Sequence, residues 1–252
     1  MTFSWHYFIV QAMGFMDDEE KKMKILVIDD EKPTLSMFRL FLTAYGYEVY
    51  TAEDGDKGLT LFQEVRPGIV FTDLKMPGPD GLEVLRRIRK TGIPSGVIVI
   101  TGHGDMEKAV EALDLDASDF INKPVERHAL SSALARAEKR RRLPGDLPFE
   151  VSESKKDGAL FVSLKGKRTG SARALFASLS LDPDPEKKVV FLFHDDFSID
   201  KSGICLLMEI IQELKQNNIL LALENLSYNY LRIFQMAGMD RFANLKEALA
   251  KD

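Results

Sequence analysis

GIVFTDLKMPGPDGLEVLRRIRKTG, residues Gly68–Gly92, runs an apolar strand into one acid, Asp73, breaks at once on Met76-Pro77-Gly78-Pro79, and resumes as an amphipathic helix. Two prolines and a glycine in four residues cannot continue either element, so the Asp73 side chain is expected at an open strand end with the next helix held clear of it. The same alternation extends both ways. KILVID, YEVYTA, SGVIVITG and SDFIN read as strands, and KPTLSMFRLFLTAY, DKGLTLFQEV, MEKAVEALDL and Glu126 to Arg142 as helices. Strands that are apolar throughout and separated by helices predict a parallel sheet covered on both faces. Function in such a doubly wound sheet belongs at the carboxyl ends of its strands.

The chain has 252 residues with 45% apolar content, enough for two domains. A formal net charge of -5 argues against a nucleic-acid partner. The single cysteine, Cys205, forms no internal disulfide, and four histidines give no Cys/His metal spacing, which fits a reducing cytoplasm. Residues 1–23 have an apolar start but no basic n-region and no run long enough for a bilayer. They are read as a leader, with Met16 or Met23 as alternative starts, and no membrane partner is expected.

Residues 24–142 form the first domain. Leu143 to Pro148, LPGDLP, is the linker. Its extended reach is about 20 Å, so the domains it joins stay within touching distance. Residues 149–252 read as a smaller mixed α/β domain: paired strands FEVSES and ALFVSL, a helix near Ser171 to Leu179, strand KVVFLF, a helix from Ser202 to Asn217, strand ILLALE and helix SYNYLRIFQMAG.

Parallel topology gathers Asp29, Asp30 and Glu31 at the end of the first strand and Asp73 at the end of the third, with Thr101 and Lys123 ending the fourth and fifth. Clustered carboxylates repel unless they bind protons or a hard cation, and Mg²⁺ accepts one or two carboxylates while leaving positions for phosphate oxygens. Lys123 adds a mobile cation and Thr101 a hydroxyl. The set suits a phosphoryl group moving onto an Asp73 oxygen.

VIDDE, FTDLKMPGPDGLEVL, VIVITGHGD and DFINKP, in that order, resemble the receiver domain of two-component response regulators. The resemblance implies a flavodoxin-like five-stranded fold. It makes Asp73 the phospho-acceptor for a sensor histidine kinase, and Asp29 and Asp30 Mg²⁺ ligands together with Asp73 and the Lys75 backbone carbonyl. It makes Thr101 the switch hydroxyl, Phe120 the switch aromatic and Lys123 the phosphoryl-contacting lysine. A receiver accepts a phosphoryl group and loses it again without being a conventional turnover enzyme. A Mg²⁺-dependent phosphatase with the same strand-end aspartate is the alternative, but it needs an acid two residues on, where this chain has Lys75.

In the second half, VVFLFHDDFSIDKSGICLLMEIIQELKQNN and ILLALENLSYNYLRIFQMAGMDRF resemble the STAS domain of anti-sigma-factor antagonists. That family implies an anti-sigma factor or a serine kinase or phosphatase as partner. Asp200-Lys201-Ser202-Gly203 aligns Ser202 with the family's phosphorylated serine. Asp200 and Ser202 are both able to cap the helix, and a bare helix cap is the simpler role for Ser202. Cys205 and Met208 are expected in the helix's apolar stripe, His103 is read as a loop residue, and Lys139 to Arg142 as a solvated helix end. Dimer or monomer is left open.

Overall fold

The computed structural model describes residues 22–102, 105–142, 149–168, 188–194 and 197–248. The leader, the linker, His103 and the helix expected near Ser171 lie outside them.

The first domain alternates strictly. Its strands are β1 (Lys24–Ile28), β2 (Glu48–Ala52), β3 (Ile69–Asp73), β4 (Gly96–Thr101) and β5 (Asp119–Asn122). Its helices are α1 (Lys32–Ala44), α2 (Gly55–Val65), α3 (Gly81–Lys90), α4 (Met106–Asp114) and α5 (Arg127–Arg142). The strands pair in parallel in the order β2-β1-β3-β4-β5, the flavodoxin-like order, whose switch point lies between β1 and β3. Because side chains alternate across a strand, Ile25, Val27, Ile69 and Phe71 face one layer with Phe38 of α1 and Leu130 of α5. Leu26, Ile28 and Val70 face the other with Phe62 of α2 and Leu85 of α3. Burial on both faces is why these strands carry no polar alternation.

The starts of α2 and α3 are fixed by short acids. Asp54 accepts the Lys57 N–H at 2.8 Å and Asp80 the Glu83 N–H at 2.9 Å, each satisfying a donor that the helix itself leaves free. Between β3 and Asp80 the chain turns at Gly78, in the left-handed region at φ 77°. It then folds back so tightly that a Cβ on Gly81 would stand 2.3 Å from the Asp73 carbonyl oxygen.

The second domain has strands β6 (Glu150–Lys156), β7 (Ala159–Lys165), β8 (Lys167–Arg168), β9 (Lys188–Phe193), β10 (Ser198–Ile199), β11 (Leu220–Leu226) and β12 (Asn244–Glu247), with helices α6 (Lys201–Gln216) and α7 (Tyr228–Met236). The main sheet runs β12-β11-β9-β7-β6 and is mixed, antiparallel only at β6/β7. That hairpin turns on Asp157-Gly158, both with positive φ, the two-residue geometry that matches strand twist. Strand β12, NLKE, was not expected from the sequence: it is short and half-exposed, so its apolar signal is faint.

Two expectations change in α6. Its buried stripe is Gly203, Leu207, Ile210, Ile211 and Leu214, and Cys205, two positions from Gly203 and so on the far side of the helix, is exposed. The cap is Asp200, whose carboxylate accepts the Gly203 N–H at 2.7 Å, so Ser202 is not the cap but an exposed residue of the first turn. Asp200→Ala is expected to cost about 1 kcal/mol, readable as a lower thermal midpoint of the second domain.

Candidate functional site

Each strand end supplies one group to a shared edge. Asp29, just past β1, is fully buried, and Asp73, ending β3, is 4% exposed. Lys123, just past β5, joins them: its Nζ lies 3.1 Å from Asp73 Oδ1, 3.2 Å from Asp29 Oδ2 and 3.3 Å from Glu31 Oε2. The second Asp73 oxygen accepts the Lys75 N–H at 3.0 Å, and Asp29 Oδ1 accepts the Glu31 N–H at 2.8 Å. Two parallel strands separated by one neighbour, β4, thus deliver an acid and a base to bonding distance from far apart in sequence.

Burial dominates the electrostatics. It raises the Asp73 carboxyl above the usual aspartate range despite Lys123 and the Lys75 N–H, and it raises Asp29 despite the Glu31 N–H and Lys123. Burial disfavours the Lys123 ammonium too. The hydrogen bond and charge of Asp73, with those of Asp29, outweigh it and hold Lys123 above the ordinary lysine range.

Removing that cation has a signed consequence. A carboxyl whose folded pKa is raised favours the native state below the unfolded value near 3.8, and that stability is lost as pH rises through the folded pKa. Lys123 is fully charged on both sides of neutrality, so it contributes no slope there. Without it both carboxyls rise further. Lys123→Met is therefore expected to unfold at a higher urea concentration at pH 5 than at pH 8, more so than the parent chain. An unchanged pH profile would show that Lys123 does not hold the acids ionised.

The remaining predicted residues are placed differently. Asp30 is exposed at the rim. Among the described residues no group of three or more His, Cys, Asp or Glu side chains forms a metal-binding cluster; Asp29, Asp73 and Glu31 are joined through Lys123, and Asp30 stands outside. Thr101 is buried beside Asp73 in the sheet, but its hydroxyl donates to Asn122 Oδ1 at 2.5 Å and lies 3.5 Å from the Ile121 carbonyl, turned towards β5. Phe120 is fully buried in the core. The Lys75 side chain, which stands where a phosphatase acid would be, leaves the pocket for Asp105 at 2.9 Å. The fit to a divalent cation is chemical: Asp29 and Asp73 present buried carboxylate oxygens whose charge partner is the Lys123 ammonium, and hard carboxylate oxygens are donors of the kind Mg²⁺ takes. Glu31, grouped by the sequence with the strand-end acids but given no role of its own, is the third carboxylate beside Lys123.

A family model described as response regulator receiver domain matches residues 25–135. One described as STAS domain matches residues 109–251. Their overlap falls on α4, β5 and α5, which the structure builds into the first domain. The transcriptional regulatory protein FixJ of Rhizobium meliloti is 42% identical over 113 residues, covering 44% of this chain and 54% of that protein. Response regulator MprA of Mycolicibacterium vanbaalenii is 36% identical over 163 residues, covering 64% of this chain and 61% of that protein. The chain spans about half the length of the curated relatives it matches. A solved receiver domain protein from Clostridium thermocellum is 39% identical, with a TM-score of 0.46 over 48% of this chain and 97% of that one. The chain belongs to the STAS domain family and carries a response regulator receiver domain at its amino end.

Proposed function

We propose that this chain is a two-component response regulator in which a sensor histidine kinase phosphorylates Asp73 and the STAS domain is the output, binding an anti-sigma factor or a serine kinase or phosphatase by partner switching. The observation that carries the reading is the arrangement at β3: a nearly buried carboxylate with one oxygen on Lys123, the other on a backbone N–H, and a second buried carboxylate beside it.

In the reaction an Asp73 oxygen attacks the phosphorus of a phosphohistidine. The P–N bond breaks and its electron pair leaves on the imidazole nitrogen. Asp29, Asp30 and Asp73, with the Lys75 carbonyl, are the oxygen donors that would hold Mg²⁺, which supplies charge neutralisation to the phosphoryl oxygens. Lys123 exchanges its carboxylate contacts for a phosphoryl oxygen. Thr101 turns from Asn122 towards the same group, and Phe120, two residues before Asn122, senses the rearranged strand. Water later takes the phosphoryl group back, so the receiver is a timed switch rather than a conventional enzyme. The acidic balance supports a protein partner rather than DNA. Among the described residues no helix is long and apolar enough to cross a membrane. The domain limits 24–142 and 149–252, joined by 143–148, belong to this reading, with cytoplasmic placement and an open oligomeric state.

The test is affinity capture on the full chain, either untreated or converted with beryllofluoride and Mg²⁺. Retention of an anti-sigma-type protein, or of a serine kinase or phosphatase, by one form only is the expected result. Identical retention by both forms, or sequence-specific binding of a DNA fragment, would overturn it.

A further inference from the structure

One hydroxyl stands between two claimants at the carboxyl edge of the first sheet. Thr101 ends β4, the strand between β3 and β5. On one side Asp73 pairs in register with Ile100, so Thr101 stands one residue beyond the level of that carboxylate. On the other side Thr101 itself pairs with Asn122, the last residue of β5. The Lys123 N–H closes that end of the ladder by donating to the Thr101 carbonyl at 2.7 Å.

Thr101 is 1% exposed. A hydroxyl has a single proton to give. Here it goes to Asn122 Oδ1 at 2.5 Å, with only the longer contact to the Ile121 carbonyl, 3.5 Å, beside it. While that bond lasts, the hydroxyl cannot donate to a phosphoryl oxygen on Asp73. The donor that the phosphoryl group calls for is thus held by a side chain outside the acid and lysine set.

Asn122 is also out of character for its place. Phe120 and Ile121 before it are fully buried and apolar, as the strand requires, whereas asparagine is depleted in strands. A locally disfavoured residue whose amide oxygen is spent on a site group is the kind of departure that function imposes on a fold.

We propose that Asn122 is a positioning residue that sets the resting place of the Thr101 hydroxyl and so fixes what fraction of the chain is ready to hold a phosphoryl group. The inference rests on the reading of Asp73 as acceptor and deepens it by naming what opposes the switch. A ligand that needs the hydroxyl turned towards β3 binds with an apparent affinity reduced to the fraction of chains in which the hydroxyl is already free. Loss of the Asn122 acceptor lifts that reduction and removes no donor from the pocket. The same bond favours the return to rest once the phosphoryl group has left.

The test is the affinity of the full chain for beryllofluoride in saturating Mg²⁺, read by fluorine NMR of the bound anion. Asn122→Ala is expected to bind it about fivefold more tightly, the worth of one buried hydrogen bond between neutral groups. In a Thr101→Val background, which keeps the shape and loses the hydroxyl, the same change is expected to leave the affinity alone, because two residues that act through one contact are not additive. Asn122→Asp keeps an acceptor oxygen and gives no hydroxyl-dependent gain. Mg²⁺ affinity measured without the anion stays at the parent value in Asn122→Ala, since the hydroxyl does not serve the cation. Unchanged beryllofluoride binding in Asn122→Ala, or a gain that persists in Thr101→Val, overturns the role of Asn122 and leaves Asp73 as acceptor. A parallel rise in Mg²⁺ affinity overturns it too, because it would report a rearranged sheet edge rather than a freed hydroxyl. A parent chain that takes up no beryllofluoride overturns the reading of Asp73 itself, and the inference falls with it.

Discussion

Asp73→Asn is expected to abolish uptake of a phosphoryl group from acetyl phosphate in Mg²⁺, a loss of at least about 100-fold, because an amide oxygen is a poor nucleophile and carries no charge to share. The fold should survive. An asparagine oxygen can still accept the Lys75 N–H, and the substitution removes a carboxylate whose burial already opposes its charge. Lys123 keeps Asp29 and Glu31 as partners. Stability is therefore expected to change by no more than about 1 kcal/mol, within the range of mild substitutions, which separates loss of chemistry from loss of structure. Radiolabel transfer with a denaturation curve on the same sample decides the matter: equal labelling of both proteins would move the acceptor elsewhere.

Gly81→Ala acts on the same carboxylate from behind. Its new Cβ would lie 2.3 Å from the Asp73 carbonyl oxygen, 2.9 Å from the carbonyl carbon and 3.0 Å from the Leu74 Cα. All three are backbone atoms, so no rotamer change relieves the clash. Either α3 backs away from the sheet or the end of β3 shifts. We expect a loss of about 3 kcal/mol, the upper end for overpacking. In the molecules that still fold, phosphoryl uptake should slow by about 100-fold, the effect of displacing a reacting group by roughly 1 Å. A urea midpoint and a labelling rate matching the parent chain would show that the close approach is not needed. The glycine is thus a packing requirement rather than a conformational one.

Much of the receiver was legible because its signals are local and repeated. Apolar runs such as IVFTD and GVIVIT are buried on both faces and cannot be mistaken for half-exposed strands, and the caps Asp54 and Asp80 stand where a short acid precedes each helix. The meeting of Asp29, Asp73 and Lys123 followed from parallel topology alone. Side-chain direction did not follow. Nothing in VITGHGD says that the Thr101 hydroxyl points at Asn122, because that depends on a neighbour twenty-one residues away. Cys205 was misplaced because an apolar-looking residue on a helix flanked by apolar residues gives no hint of which turn faces inward; only the packed stripe from Gly203 to Leu214 decides. The burial of Arg136 was invisible for the same reason. In ALARAEKRRR Arg136 is one cation among several, and two of its contacts, the Phe197 carbonyl and the Tyr230 ring, lie far away in sequence.

The hairpin at the border of the second sheet has a bearing on colloidal behaviour. Strand β6, EVSESKK, forms the outer margin, and all its side chains except Val151 are exposed. A foreign strand seeking to extend the sheet there would have to align beside Glu150, Glu153, Lys155 and Lys156, whose hydration and mixed charge oppose a dry, in-register stack. That margin is accordingly a poor template for an added strand from another copy.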